Sequence, residues 1–366
     1  MEKGYLLLSD GQLYQGMLFG ATDICCGELV FNTSMSGYPE ILTDPSYNGQ
    51  IVLMTYPLIG NYGVDDNWNE SCGVNATALV VKRLYQGPLP PGRISLDEFL
   101  KRHGRCAITE VDTRDLTLHI RRNGSQNAVI FPEGMDKQAR ELIKSFPSIT
   151  ERDLIEGISV KEKTVDPDLG SGFVSEPSNP RYRIALADFG IKRSIIENFY
   201  RRDVSVTLLP PTFKADDVLE KGFDMLFLSN GPGDPELLQD AVAQVKACIG
   251  KLPVCGICLG HQLITRALGG RTVKMTYGHH GGNHPVKDLD TGKTFVTSQN
   301  HGFMSDMESL PKSVHLWFVN ANDNTVEGLY DTSLKVRSVQ FHPEASPGPQ
   351  DATWIFDKFL EELKNA

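Results

Sequence analysis

From Arg183 to Cys258 short apolar runs alternate with amphipathic stretches: RIALADFG, IKRSIIENFYRRD, VSVTLLP, KADDVLEK, FDMLFLSNGPGDP, ELLQDAVAQVKACIG and LPVCGIC. This rhythm restricts the fold more than any other feature, because parallel strands can be joined only through a crossover long enough to hold a helix. Runs such as MLFLS are apolar at consecutive positions, as in strands covered on both faces. The expectation is an α/β fold, an open, mostly parallel sheet with helices on both faces. Beyond Gly278 the strands shorten (KTFVTSQNHGF, VHLWFVNA, TVEGLYD, KVRSVQFHPE), which predicts an antiparallel extension of the same sheet.

Upstream the pattern differs. GYLLLS, LYQGMLFG, GELVFNTS and QIVLMTY read as strands between Gly and Pro turns, and only DEFLKRHG, TRDLTLHIRRNG and DKQARELIKSF read as helices. With 366 residues, 40% of them hydrophobic, two domains are expected. They are a mixed, β-rich domain over 1–150 and the α/β domain over 183–366. Residues 151–182, rich in Gly, Pro, Ser and charge, read as a linker.

The net charge of −10 is spread without a block of like charge, so no footprint for nucleic acid or anionic lipid is present. MEKGYLLLSDG is too short for a signal sequence, and no apolar run approaches the ~18 residues that span a bilayer. A cytoplasmic, soluble protein is expected. Seven cysteines without a secretion signal argue for thiols, and the adjacent Cys25 and Cys26 read as apolar fillers.

PVCGICLGHQL places Cys258 between Gly256 and Gly260, after an apolar strand and before a helical run. A nucleophile on such a tight bend needs small flanking residues. It also lies where open α/β sheets bind ligands, and at a helix start that lowers a thiol's pKa. The N–H of Leu259 is placed to donate to a developing oxyanion. The rival reading, a Cys255–Cys258 redox pair, expects the reactive cysteine at the helix start to be the first of the two, whereas Cys255 lies back in the strand; it reads as packing.

A nucleophilic cysteine needs a base. In Phe341-His342-Pro343-Glu344, positions i and i+2 at a strand end share a face, so Glu344 can orient the His342 imidazole. His279, His280 and His284 offer a weaker metal reading in a Gly-rich segment that suits a turn, and His301 reads equally well as structural; no metal is expected.

With these residues in hand, SNGPGDP, GICLGHQ, SQNHGF and FHPEASPGP in that order resemble the class I (triad) glutamine amidotransferases. GELVFNTSMSGYPEILTDPSYNGQIVLMTYPLIGNYGV, EVDTRDLTLHIRRNG, GHHGGNHPVKD and PEASPGPQD are similar to the carbamoyl phosphate synthetase small-subunit family, nearly end to end. The resemblance implies catalytic Cys258, His342 and Glu344, and a glutamine site lined by Ser46, Gly231, Gly233, Leu259, Gln262, Asn300, Gly302 and Phe303. It implies glutamine hydrolysis, with ammonia passed to a large synthetase subunit. That partner would use bicarbonate, ATP and Mg to make carbamoyl phosphate for arginine and pyrimidine biosynthesis, leaving this chain without a cofactor and with room for a higher oligomer of the heterodimer. An inactive scaffold and an amidotransferase for another acceptor are the remaining alternatives. Two departures from the family pattern stand out: Glu110 replaces a usual glycine, and Gln350 a common histidine.

Overall fold

In the amino-terminal half the alternating apolar strands leave no free edge. Glu2–Leu8, Leu13–Gly20, Cys106–Thr109, Ala78–Val80, Gln50–Met54, Cys25–Asn32 and Gln126–Pro132 pair in that order and close into a barrel. Leu6, Leu29, Ile51, Leu53, Val80 and Ile108 form part of one buried cluster there. The computed structural model describes residues 1–364 and divides into two units, Met1–Arg152 with Thr276–Gly281 and Asp153–Met275 with Gly282–Ala366.

The three helical stretches of this first unit appear as Leu96–Arg102, Thr113–Asn123 and Asp136–Ser145. Ser95 caps the first by accepting from Glu98 N–H, and Asp112 caps the second by accepting from Asp115 N–H. Glu110 sits at φ 66°, the left-handed region that glycine occupies at least cost, which accounts physically for the family's usual glycine at this position. Cys25 packs against the barrel's apolar cluster, as the sequence suggests, and is also paired in a disulfide with Cys106, a partner 81 residues away that no local spacing marks. Cys26, its neighbour, is buried and free.

In the second unit ten strands form one sheet, in the order Thr294–Asp306, Arg271–Asp288, His315–Asn320, Val326–Asp331, Val336–Val339, Val254–Ile257, Met225–Leu228, Tyr182–Ala187, Val204–Leu209, Thr164–Val165. The five from Val336–Val339 to Val204–Leu209 run parallel; Val326–Asp331 and His315–Asn320 continue antiparallel. The sheet is therefore mixed, with a parallel centre.

Alternation along the central strands sorts the core into two layers. Ile184, Leu186, Met225, Phe227, Cys255 and Ile257 pack with Ile195, Phe199, Phe356 and Phe359 on one face. Ala185, Ala187, Leu226, Leu228 and Val254 pack with Val218, Val245, Leu263 and Ile264 on the other. Residues 151–182, read from sequence as a linker, are tied into this unit from Asp153 onward. Thr164–Val165 adds an antiparallel edge to Val204–Leu209, and the Asp166 carboxylate accepts from Ser205 Oγ and Val206 N–H. Val160 N–H donates to Asp188, and Leu154, Ile155 and Leu169 are buried. Among the described residues no helix is long and apolar enough to cross a membrane.

Candidate active site

The chain leaves Tyr182–Ala187 for Val204–Leu209 on one side, then returns for Met225–Leu228 on the other. Such a reversal opens a crevice at the carboxyl ends of the strands. Four adjacent parallel strands end there in turns that carry Lys192, Gly231, Cys258 and the His342–Glu344 pair.

Cys258 follows Val254–Ile257 and caps the helix Leu259–Ala267, at φ 54° and ψ −106°. This conformation is costly for a non-glycine residue and persists only where its surroundings enforce it. The enforcement is visible in the glycines. A Cβ on Gly260 would lie 2.3 Å from Leu228 O, and one on Gly256 2.8 Å from Gly260 C. Gly260 N–H donates to Ser229 O and Cys258 N–H to Val339 O, so the bend is stitched to both neighbouring strands. Leu259 opens the helix, placing its N–H among the donors that no intrahelical carbonyl serves.

Gly231 lies in the turn after Met225–Leu228, packed so closely that an added Cβ would meet Phe189 O at 2.3 Å and Leu259 Cδ2 at 2.9 Å. Gly233, at φ 89°, needs the left-handed region. Asn300, Gly302 and Phe303 lie on Thr294–Asp306, where the Cys258 thiol donates to Asn300 O at 3.5 Å. Gln262, one helical turn beyond Cys258, donates through Nε2 to Phe303 O. Ser46 belongs to the first unit, buried in a short turn where its N–H donates to Asp44.

The strand before His342 stops at Val339, so the imidazole and its carboxylate meet in a turn rather than along a strand. Ala345 and Ser346 bend the backbone there with φ 60° and 48°. His342 Nδ1 lies 2.6 Å from Glu344 Oε1. His342 N–H donates to Ser298 O, which fixes this turn beside the strand of Asn300. His342 Nε2 makes no hydrogen bond of ordinary geometry.

The electrostatics follow from burial. Removal from water opposes a charge on His342, but the Glu344 carboxylate and the nearby Cys258 outweigh it and hold the imidazole above its ordinary range. Burial likewise opposes a charged Glu344; Lys192 and His342 overcome it and keep the carboxylate ionised. His261 provides the contrast. Among the described residues its ring is bonded only to the hydroxyls of Ser338 and Ser305, and burial pushes it down to about 3. Cys255, wholly buried on the same strand as the elbow, has its thiol pushed up by burial, and no cysteine is its disulfide partner.

Lys192 is the residue the sequence did not single out. Its Nζ donates to Glu344 Oε1 at 2.9 Å and to Ala345 O at 2.6 Å from a position only 2% exposed. One lysine in IKRS reads as a solvated cation; the only local signal is its place just after the turn of a buried strand. Of the histidines weighed for metal, His280 and His284 lie in the extended strand Arg271–Asp288 rather than a turn. His280 O accepts from Thr33 N–H, and His284 O from Thr297 Oγ1. His301 Nδ1 pairs with Phe303 O.

A thiol at a helix start, a buried imidazole oriented by an ionised carboxylate, and backbone N–H groups at two tight turns can together perform acyl transfer through a tetrahedral oxyanion. The family model described as "Glutamine amidotransferase class-I" matches residues 185–362, and "Carbamoyl-phosphate synthase small chain, CPSase domain" matches 6–130. A protein of Syntrophotalea carbinolica named carbamoyl phosphate synthase small chain is 45% identical, covering 99% of this chain and 98% of its own. Proteins of the same name from Methanococcus maripaludis (strain C5) and Methanocaldococcus jannaschii are 46% and 44% identical; they cover 98% and 97% of this chain and 96% and 98% of their own.

Proposed function

Because the chain belongs to the carbamoyl phosphate synthase small-chain family, we propose that it is a glutaminase subunit working through Cys258, His342 and Glu344. The observation that carries this reading is the pairing of a positive-φ cysteine at the strand-to-helix bend with the 2.6 Å His342–Glu344 contact in the same crevice. L-Glutamine would be bound by Ser46, Gly231, Gly233, Leu259, Gln262, Asn300, Gly302 and Phe303. Lys192 helps hold Glu344 ionised and in place.

In the first half-reaction the Cys258 thiol passes its proton to His342 as its sulfur attacks the γ-carboxamide carbon, and the N–H groups of Leu259 and Gly231 stabilise the oxyanion. The C–N bond then breaks as His342 gives its proton to the departing ammonia, leaving a thioester. In the second, His342 takes a proton from water, the new C–O bond forms, the C–S bond breaks, and glutamate leaves. Ammonia is channelled to a large synthetase subunit that holds ATP and Mg and forms carbamoyl phosphate from bicarbonate for arginine and pyrimidine synthesis. This chain holds no cofactor of its own and acts in the cytoplasm as half of a heterodimer.

The test is Cys258→Ser. Glutamate release should fall by about 10³-fold or more, while ammonia-dependent synthesis by the complex continues. Glutaminase activity surviving that change would sink the proposal.

A further inference from the structure

We propose that Gln340, a residue outside the nucleophile, base and ligand set above, is a positioning residue that fixes the amide of Gln262 so that its oxygen faces the α-ammonium of glutamine. The inference rests on the glutamine reading just given and adds a residue to it.

Gln262 stands on the helix that Cys258 opens, with its N–H donating to Cys258 O, so its side chain rises one turn from the sulfur. Its Nε2 donates to Phe303 O at 3.1 Å and to Gln340 Oε1 at 3.1 Å. A backbone carbonyl can only accept, so the atom facing Phe303 must be nitrogen; the atom of Gln340 facing that nitrogen must then be oxygen. Both hydrogens of the Gln262 amide are thus engaged, and among the described residues no hydrogen bond uses its Oε1. An acceptor beside the nucleophile selects a donor on the substrate. Glutamine carries one besides the reacting carboxamide, its α-ammonium.

Gln340 is placed for this and little else. It is fully buried at the end of the strand that leads to His342, with its N–H donating to Glu327 O. Among the described residues its own Nε2 has no hydrogen-bond partner. A buried amide with an unserved N–H group lowers stability, and an apolar side chain of similar size would fill the space without that cost. Retaining the amide makes sense if its oxygen is needed, and among the described residues the partner of that oxygen is Gln262. Phe303 O already accepts from His301 Nδ1 as well. Without Gln340, the Gln262 amide would hold its orientation by a single, shared acceptor.

The experiment compares L-glutamine with glutaramate, the same molecule lacking the α-amine, as substrates of the full chain. Gln340→Met should raise KM for glutamine roughly tenfold and leave kcat within about threefold. It should leave kcat/KM for glutaramate within about twofold, because that substrate makes no contact to lose. Gln340→Asn, whose shorter side chain cannot reach Gln262, should behave like Gln340→Met and serves if the methionine variant does not fold. Gln340→Glu, which keeps an acceptor oxygen, should retain a near-normal KM for glutamine. Equal losses on both substrates, or an unchanged KM in Gln340→Met and Gln340→Asn, would overturn the inference. A wild-type chain that fails to hydrolyse glutamine overturns the parent reading, and this inference with it.

Discussion

The barrel of the first unit and the open sheet of the second use the same kind of apolar strand and differ in what they tolerate inside. The barrel closes on itself and is pinned by the Cys25–Cys106 disulfide; Glu110 is its one non-glycine residue at positive φ among those described. The sheet buries Lys192, Glu344, His342 and His261, and places Cys258, Ala345 and Ser346 at positive φ around one crevice. Buried charge and backbone strain are both unfavourable, and in the second unit Lys192, His342, Glu344 and Cys258 bring them together at strand ends. A closed barrel pairs each strand on both sides and leaves no edge to bend. An open parallel sheet leaves a row of turns that can be bent toward chemistry.

If that contrast is right, perturbing the sheet's turns should cost activity far out of proportion to their size. Gly231→Ala places a methyl group 2.3 Å from Phe189 O, which must displace the turn that carries the proposed oxyanion donor; glutaminase kcat should fall by about 10²–10³-fold. Steady-state glutamate release checks this, and a loss below tenfold would detach Gly231 from the chemistry. Lys192→Met leaves Glu344 with His342 alone. Breaking a buried pair costs about 3–5 kcal/mol, and the remaining imidazole contact puts this case at the lower end, measurable as a drop in urea midpoint accompanied by slower turnover. No change in either would show the lysine to be packing.

A pH series sharpens the same point. His342 is held above its unfolded value, so its contribution is complete below about pH 6.5 and fades as pH rises through the folded pKa. Glu344 is held below its unfolded value, so its contribution is present above about pH 4.3 and fades as pH falls through the folded pKa. The melting-temperature gap between wild type and Glu344→Gln should therefore be widest between these limits and narrow on the alkaline side. A gap that is flat across pH would break the assignment. The smallest effect is expected in the barrel: Glu110→Gly relieves a left-handed backbone but adds unfolded-state entropy. The net gain is about 0.5–1 kcal/mol, or roughly 2 °C, without change in glutaminase activity. A loss of stability would mean that the Glu110 side chain does something its backbone does not reveal.

Periodicity was enough to read the parallel centre of the sheet, since Met225–Leu228 and residues 184–187 are apolar at consecutive positions and buried on both faces. It was also enough to place DEFLKRHG, TRDLTLHIRRNG and DKQARELIKSF in helices, and the spacing of Gly256 and Gly260 marked the bend at Cys258; the His342–Glu344 contact, expected at a strand end, forms in a turn beyond it. These are local facts, written in neighbouring residues. The barrel's closure, the Cys25–Cys106 bond, the strapping of residues 153–182 onto the sheet, and the meeting of Lys192 with Glu344 and of Gln340 with Gln262 are pairings at long range. No pattern in one stretch encodes them, because a lysine or a glutamine looks solvated until folding removes the water and leaves it a single partner. The sequence by itself determined that Cys258 stands on a glycine-flanked bend between strand and helix. Only the tertiary structure decided which buried groups hold the site's charges in place, since that depends on which strand ends the sheet brings side by side.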